Sequence, residues 1–95
     1  MKILYLSLKE KWYRLIESGV KKEEYRVYND YWKKRLIGKE YTHVQFTLGY
    51  PKRGDYSRRM TFTLNGIEYQ EGKEEWGAEK SVKYFVLKIG DRIYE

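Results

Sequence analysis

The 95-residue sequence has no cysteine, one histidine and one proline. Without cysteine the chain can form no disulfide, thiolate metal site or cysteine nucleophile, which is compatible with the reducing cytoplasm. His43, the single histidine, lies on the polar face of a predicted strand and has no carboxylate at ligand spacing in the sequence. We therefore expect a cytoplasmic location and no metal, no cofactor and no histidine-based catalytic triad.

Long apolar runs and glycine-rich loops are also missing. The apolar start of the chain continues for only about six residues before charge returns, which is too short for a signal peptide or a membrane span. Gly19, Gly38 and Gly49 are isolated from one another, so no glycine-rich phosphate loop is present. These absences argue against membrane insertion and against the common nucleotide-phosphate motifs.

Basic and aromatic residues are what the chain has in abundance. Lysine and arginine number 20 against 14 aspartate and glutamate, which gives a net charge of +6, and there are 11 tyrosines and three tryptophans. Tyrosine and tryptophan combine an apolar body with a polar tip and line wet surfaces as well as cores. Because they are interleaved with the basic residues, the composition favours an anionic partner such as nucleic acid over charge that serves solubility alone.

The hydrophobic pattern predicts one α+β domain over residues 1–95, with about five or six strands in mixed pairing and two helices. The first strand, at residues 3–8, is read as a central strand because it is apolar on both faces. A helix is predicted over 9–18, with a capping box from Ser7 and Glu10 and with Gly19 at its C-terminus. Asn29 or Asp30 is predicted to cap a second, short helix.

The remaining strands follow from alternation. Further strands are predicted over 24–27, 44–48, from residue 60 onwards and over 84–89, with a turn at Gly90 and Asp91 before a last short segment. Beyond Asn65 and Gly66 the apolar positions change from even to odd numbers. Either a two-residue hairpin or a bulge in one long strand would produce this change, and the short second arm favours the bulge.

The segment 19–26 places Lys21, Glu24 and Arg26 at a predicted turn and strand start, where apolar residues are usual. This conflict between local pattern and fold is typical of a functional site. The two cations beside a carboxylate could hold a phosphate or a base edge through charge-assisted hydrogen bonds. The alternative is a ladder of exposed salt bridges, which would contribute little.

Two predicted loops carry further signals. Residues 49–59 mix tyrosine with four basic residues, a composition suited to nucleic-acid contact but also to a plain hairpin tip. Residues 72–82 surround Trp76 with glutamates, one of which could fold over the charges of segment 19–26. Trp76 itself is read as an anchor beneath its loop.

The pattern Gly19-x-Lys21-x-x-Glu24-x-Arg26 after a strand and helix, with Trp76-Gly77 and the closing strand near residues 84–87, resembles the ASCH domain, a PUA-like family. The resemblance covers nearly the whole chain. It implies a small β-barrel with flanking helices that binds RNA or a modified nucleotide in a basic cleft lined by these charges. The implied ligand-binding residues are Lys9, Trp12, Lys21, Glu24, Tyr25, Arg26 and Tyr50.

The same resemblance includes an enzyme branch that removes acyl groups from the cytidine N4 amine, and another that cleaves RNA. The first uses a lysine, a threonine and a glutamate. Lys21 matches the lysine, but Glu24 stands in the place of the threonine, and the glutamate would be Glu74 or Glu75. If the chain is a hydrolase, Glu24 would activate water and Lys21 would stabilise the oxyanion. Binding ranks above catalysis, and a regulatory protein-interaction domain that uses the loop 52–59 is a third hypothesis.

Overall fold

The structure, a computed structural model, describes residues 1–94. Within this range the chain forms five strands and two α-helices, as predicted, together with single 3-10 turns at Tyr56–Arg58 and Glu74–Trp76. The elements are, in chain order, β1 (Ile3–Leu8), α1 (Glu10–Glu17), β2 (Glu23–Val27), α2 (Asp30–Leu36), β3 (His43–Leu48), β4 (Arg59–Glu71) and β5 (Lys83–Ile93).

The five strands make one mixed sheet in the order β1-β3-β4-β5-β2, which curls into a half-barrel. Strand β1 pairs in parallel with β3, and every other pairing is antiparallel. The prediction that β1 is central was wrong, because it lies at one edge of the sheet and β2 lies at the other. Only one face of β1 is buried: Leu4 and Leu6 are in the core, whereas Tyr5 is 64% exposed.

The core lies between the curled sheet and the two helices. Its buried members come from β1, β3, β4 and β5 and from both helices, and they are Leu4, Leu6, Leu8, Tyr13, Ile16, Leu36, Val44, Phe46, Met60, Phe62, Phe85 and Leu87. The buried face of α1 is centred on Tyr13 and Ile16, while Trp12 is only partly buried. Trp12 therefore lies at the margin of the buried face, beside Lys21 of the segment that follows the helix.

Helix α1 ends as predicted but begins differently. The predicted capping box is absent because Ser7 is still part of β1, where it pairs with Thr47; the N-cap is Lys9, with no side-chain cap. At the C-terminus Gly19 has φ +85°, its N–H donates to Ile16 O, and Val20 N–H donates to Leu15 O. These two bonds form a Schellman motif, which turns the chain from the helix into β2.

Helix α2 begins at the predicted cap. The Asn29 side chain accepts a hydrogen bond of 3.0 Å from Trp32 N–H. Neither α1 nor α2, the α-helices found in residues 1–94, is long and apolar enough to cross a membrane.

Strands β4 and β5 form the longest pairing of the sheet. The bulge is confirmed, because β4 is one strand whose register with β5 shifts between Phe62 and Ile67. The predicted turn at Gly90 and Asp91 was wrong, since β5 continues to Ile93. A Cβ at Gly90 would overlap Thr63 Oγ1 on β4. Gly90 is therefore explained by close approach within the bulged ladder rather than by a turn.

Candidate functional site

Three charged side chains converge beside β2. Glu24 and Arg26 are two residues apart on this strand, so they share a face, and the Schellman turn delivers Lys21 to the same place. Lys21 Nζ lies 2.9 Å from Glu24 Oε1, and Arg26 Nη2 lies 2.9 Å from Glu24 Oε2. Each carboxylate oxygen therefore receives one cation. We call these three residues the ion triad.

Two side chains of the ion triad are buried, and the third, that of Arg26, is 19% exposed. Lys21 is 2% exposed and Glu24 is 6% exposed. Lys21 Nζ also donates to Trp76 O at 2.8 Å and lies 4.2 Å from the centre of the Trp12 ring. Burial lowers the pKa of Lys21, and the nearby Glu24 carboxylate opposes that shift. A ladder of exposed salt bridges, the alternative from sequence, does not describe this geometry.

Arg26 connects the two edges of the half-barrel. Its Nη2 donates to Ser7 O on β1 at 3.1 Å as well as to Glu24, and its guanidinium lies 5.1 Å from the centre of the Trp32 ring. Its Nε is buried without a hydrogen-bond partner within residues 1–94. Arg26 therefore spans the gap between β1 and β2, which are not paired with each other.

A cleft of about 710 Å³ opens in front of Glu24 and Arg26. Of the seven predicted ligand-binding residues, six line it; Lys21 is the exception and lies beneath its surface. The full lining is Ser7, Leu8, Lys9, Glu10, Trp12, Glu24, Tyr25, Arg26, Leu48, Gly49, Tyr50 and Arg58. Tyr50, at 94% exposure, stands at the rim.

Two charged lining residues were not predicted. Glu10 was read as part of a capping box, but without that motif it is exposed and lines the cleft. Arg58 belongs to the basic loop, whose composition did not indicate which of its cations would face the cleft. In the structure Arg58 is the last residue of the 3-10 turn Tyr56–Arg58 and lines the cleft.

Tyr25 is held at the wall of the cleft. Its hydroxyl donates to Glu23 Oε1 at 2.8 Å and accepts from Lys73 N–H at 2.9 Å. Burial raises the pKa of Tyr25 strongly, and the adjacent Glu23 adds to this effect. The hydroxyl therefore remains protonated near neutral pH, and the ring is held in place at the wall of the cleft.

The sequence left open whether a glutamate of segment 72–82 covers the charges of the ion triad, and none of those that the structure describes does so. Glu74 and Glu75 are exposed, and neither lines the cleft in the part of the chain that the structure describes. The segment does reach the ion triad, but through the backbone carbonyl of Trp76. Gly77 follows with φ +103°, and a Cβ there would lie 3.0 Å from the Trp12 ring. A carbonyl contact of this kind has no residue signature in a sequence.

The described residues, 1–94, hold no group of three or more histidine, aspartate or glutamate side chains that could bind a metal ion. His43 lies on β3, where its Nδ1 is 2.7 Å from Thr42 Oγ1. It stands apart from the cleft and its lining.

Comparison with known proteins yields no relative for this chain: no family model matches it, and no curated protein and no solved structure matches it significantly.

Proposed function

We propose that this chain is a small ASCH-type, PUA-like domain that binds RNA or a modified nucleotide in the cleft. The observation that carries the proposal is the composition of the cleft wall, where cationic and aromatic side chains meet directly in front of the ion triad. Phosphate binding by cations and stacking on aromatic rings are the two interactions by which proteins hold single-stranded nucleic acid.

The lining residues suit distinct parts of a nucleotide. Lys9 and Arg58 supply positive charge for phosphate, whereas Trp12 and Tyr50 supply ring surfaces for a base. Each oxygen of Glu24 has a second lone pair beyond the cation it already binds, so it can accept from a base amine. The buried Lys21 contributes by holding Glu24 in position.

The hydrogen bonding of the ion triad supports binding over hydrolysis. A carboxylate that activates water should be free to take a proton, but both oxygens of Glu24 receive cations. Lys21 Nζ already donates to Glu24 and to Trp76 O, which leaves one proton for an oxyanion. The contacts of the triad therefore suit a rigid binding surface better than a site of proton transfer.

The binding proposal can be tested by fluorescence anisotropy with labelled single-stranded RNA between about 50 and about 200 mM salt. We expect affinity to fall steeply with salt. Replacing Lys9 or Arg58 by glutamine should weaken binding and reduce the salt slope by about one for each phosphate that the variant no longer neutralises. The matched control is Lys80→Gln, because Lys80 is exposed but does not line the cleft. This variant should change neither the affinity nor its salt slope. An affinity unmoved by salt and by both cleft variants would contradict the proposal.

A panel of acylated cytidines and unstructured RNA separates binding from catalysis. We expect the wild-type protein to release no product. Turnover that disappears in Glu24→Gln, with circular dichroism showing an intact fold, would replace the binding proposal with the hydrolase.

A further inference from the structure

A second hollow, of about 430 Å³, lies beside the cleft. Both volumes fall within the ~300–1,000 Å³ of typical small-molecule sites. The lining residues of the second hollow are Tyr5, Leu6, Ser7, Arg26, Tyr31, Trp32, Thr47 and Tyr50. Three of them, Ser7, Arg26 and Tyr50, also line the cleft. The two spaces are therefore neighbours that share a boundary at Arg26.

The wall of the second hollow is aromatic and open to solvent. Tyr5 is 64% exposed, Tyr31 is 53% exposed, and Tyr50 stands at the shared rim. Trp32 completes the wall and meets Tyr31 edge-on, with ring centres 4.9 Å apart. Exposed aromatic rings grouped around one hollow offer ring faces to a flat partner, and every nucleic-acid base has such a face.

The charge of the second hollow also differs from that of the cleft. Glu10 and Glu24 line the cleft, whereas no carboxylate is among the described residues that line the second hollow. Arg26 is the cation that lines it, and the guanidinium of Arg35 lies nearby, 3.5 Å from the centre of the Tyr31 ring. A wall of this kind accepts a base together with a negatively charged phosphate.

Arg26 is placed to contact the link between two nucleotides. The two hydrogen bonds that it makes within residues 1–94 both use Nη2, and its Nε is buried, so the two N–H groups of Nη1 are left to donate to a ligand. Because Arg26 lines both spaces, a phosphate that joins a nucleotide in one to a nucleotide in the other must pass close to it.

From these observations we infer that the second hollow binds the nucleotide adjacent to the one held in the cleft. The preferred ligand is then single-stranded RNA with at least two neighbouring unpaired nucleotides, rather than a free mononucleotide. This inference rests on the proposed function and adds the length and strandedness of the ligand to it.

The experiment is an NMR titration of the ¹⁵N-labelled protein with a mononucleotide, the corresponding dinucleotide, a short single strand and a fully paired duplex. The dinucleotide should bind roughly tenfold more tightly than the mononucleotide, since one further base stacks. Tyr31→Ala and Tyr5→Ala should each remove most of this extra affinity for the dinucleotide and leave the affinity for the mononucleotide unchanged. Tyr69→Ala is the matched control, because Tyr69 is also 53% exposed but lines neither space.

The outcomes distinguish this inference from the proposed function. If the mononucleotide and the dinucleotide bind equally, or if Tyr31→Ala weakens both alike, the second hollow is not a subsite and only this inference is overturned. The same holds if the duplex binds as tightly as the single strand. If no nucleotide or RNA of any length shifts the resonances of the cleft residues, the proposed function fails as well.

Discussion

Two neighbouring glutamates on β2 face opposite ways and form two different lysine–glutamate pairs. Glu24 pairs with Lys21 inside the ion triad, whereas Glu23 pairs with Lys88 on β5. The carboxylates are similarly enclosed, with side chains 8% and 13% exposed. Their lysines differ, because the Lys21 side chain is 2% exposed and that of Lys88 is 31% exposed.

The two lysines respond in opposite directions to their surroundings. The hydrogen bond to Glu23 raises the pKa of Lys88, as expected for an ion pair open to water. Burial lowers the pKa of Lys21 despite the contact with Glu24. The Lys88–Glu23 pair thus stabilises the charge of a partly exposed lysine. The Lys21–Glu24 pair, beneath the cleft, incurs a desolvation cost. Buried charge kept in place against such a cost is typical of functional sites.

Removing the shared carboxylate should give the largest effect. Glu24→Gln leaves the buried Lys21 and the half-buried Arg26 without their counter-ion, so we expect a loss of about 3–5 kcal/mol in the free energy of unfolding. Urea unfolding followed by circular dichroism measures this loss. Glu23→Gln, one residue away, is the matched control. Equal losses in the two variants would show that burial does not distinguish the pairs.

Removing the buried lysine should have a smaller effect. In Lys21→Met the carboxylate of Glu24 keeps Arg26, but Trp76 O loses its donor, so we expect a loss of about 2 kcal/mol. The double variant with Glu24→Gln should lose less than the sum of the single losses, because the two changes remove one interaction. Strict additivity in the same unfolding measurements would contradict the coupling of the triad.

Removing the charge of Glu23, which pairs with Lys88, should have the smallest effect, and this effect should depend on pH. Burial alone would raise the pKa of Glu23, but hydrogen bonds from Lys88 and Tyr25 overcome this and lower it from the ordinary 4.5. Its stabilisation is therefore present above about pH 4.5 and lost as pH falls through the lowered value. At neutral pH Glu23→Gln should lose about 1 kcal/mol or less in the free energy of unfolding.

The control for this last prediction is the same variant in acid. The melting temperatures of wild type and Glu23→Gln should differ near neutral pH and converge as the pH falls through the lowered pKa of Glu23, below which both side chains are neutral. A difference that persists unchanged in acid would mean that Glu23 acts through packing rather than through its charge.

Local patterns predicted the elements well where one short-range rule decides the outcome. Gly19 after α1, Asn29 before α2 and the bulge in β4 each follow from a few neighbouring residues. The predictions were wrong where residues far apart in the sequence determine the local structure. Ser7 is a strand residue because it pairs with Thr47, and Gly90 is a glycine because Thr63 approaches it from another strand.

For the candidate site, too, the sequence indicated the features that depend on neighbouring residues and missed those that depend on distant ones. The sequence singled out Lys21, Glu24 and Arg26 as a candidate site but left a ladder of exposed salt bridges open as the alternative. In the structure a tight turn and the two-residue period of a strand bring the three to one side. The sequence did not indicate their burial, the Trp76 carbonyl above Lys21 or the hydrogen bond from Arg26 to Ser7 O.

By itself the sequence determined the composition, the turn after α1 and the alternation that points Glu24 and Arg26 the same way. Only the tertiary structure decided that the half-barrel stays open between β1 and β2 and that Arg26 spans the gap. The physical reason is the distance along the sequence over which each interaction acts. Hydrogen bonding and alternation within a few residues are encoded locally, whereas desolvation and cleft shape depend on which distant segments pack against one another.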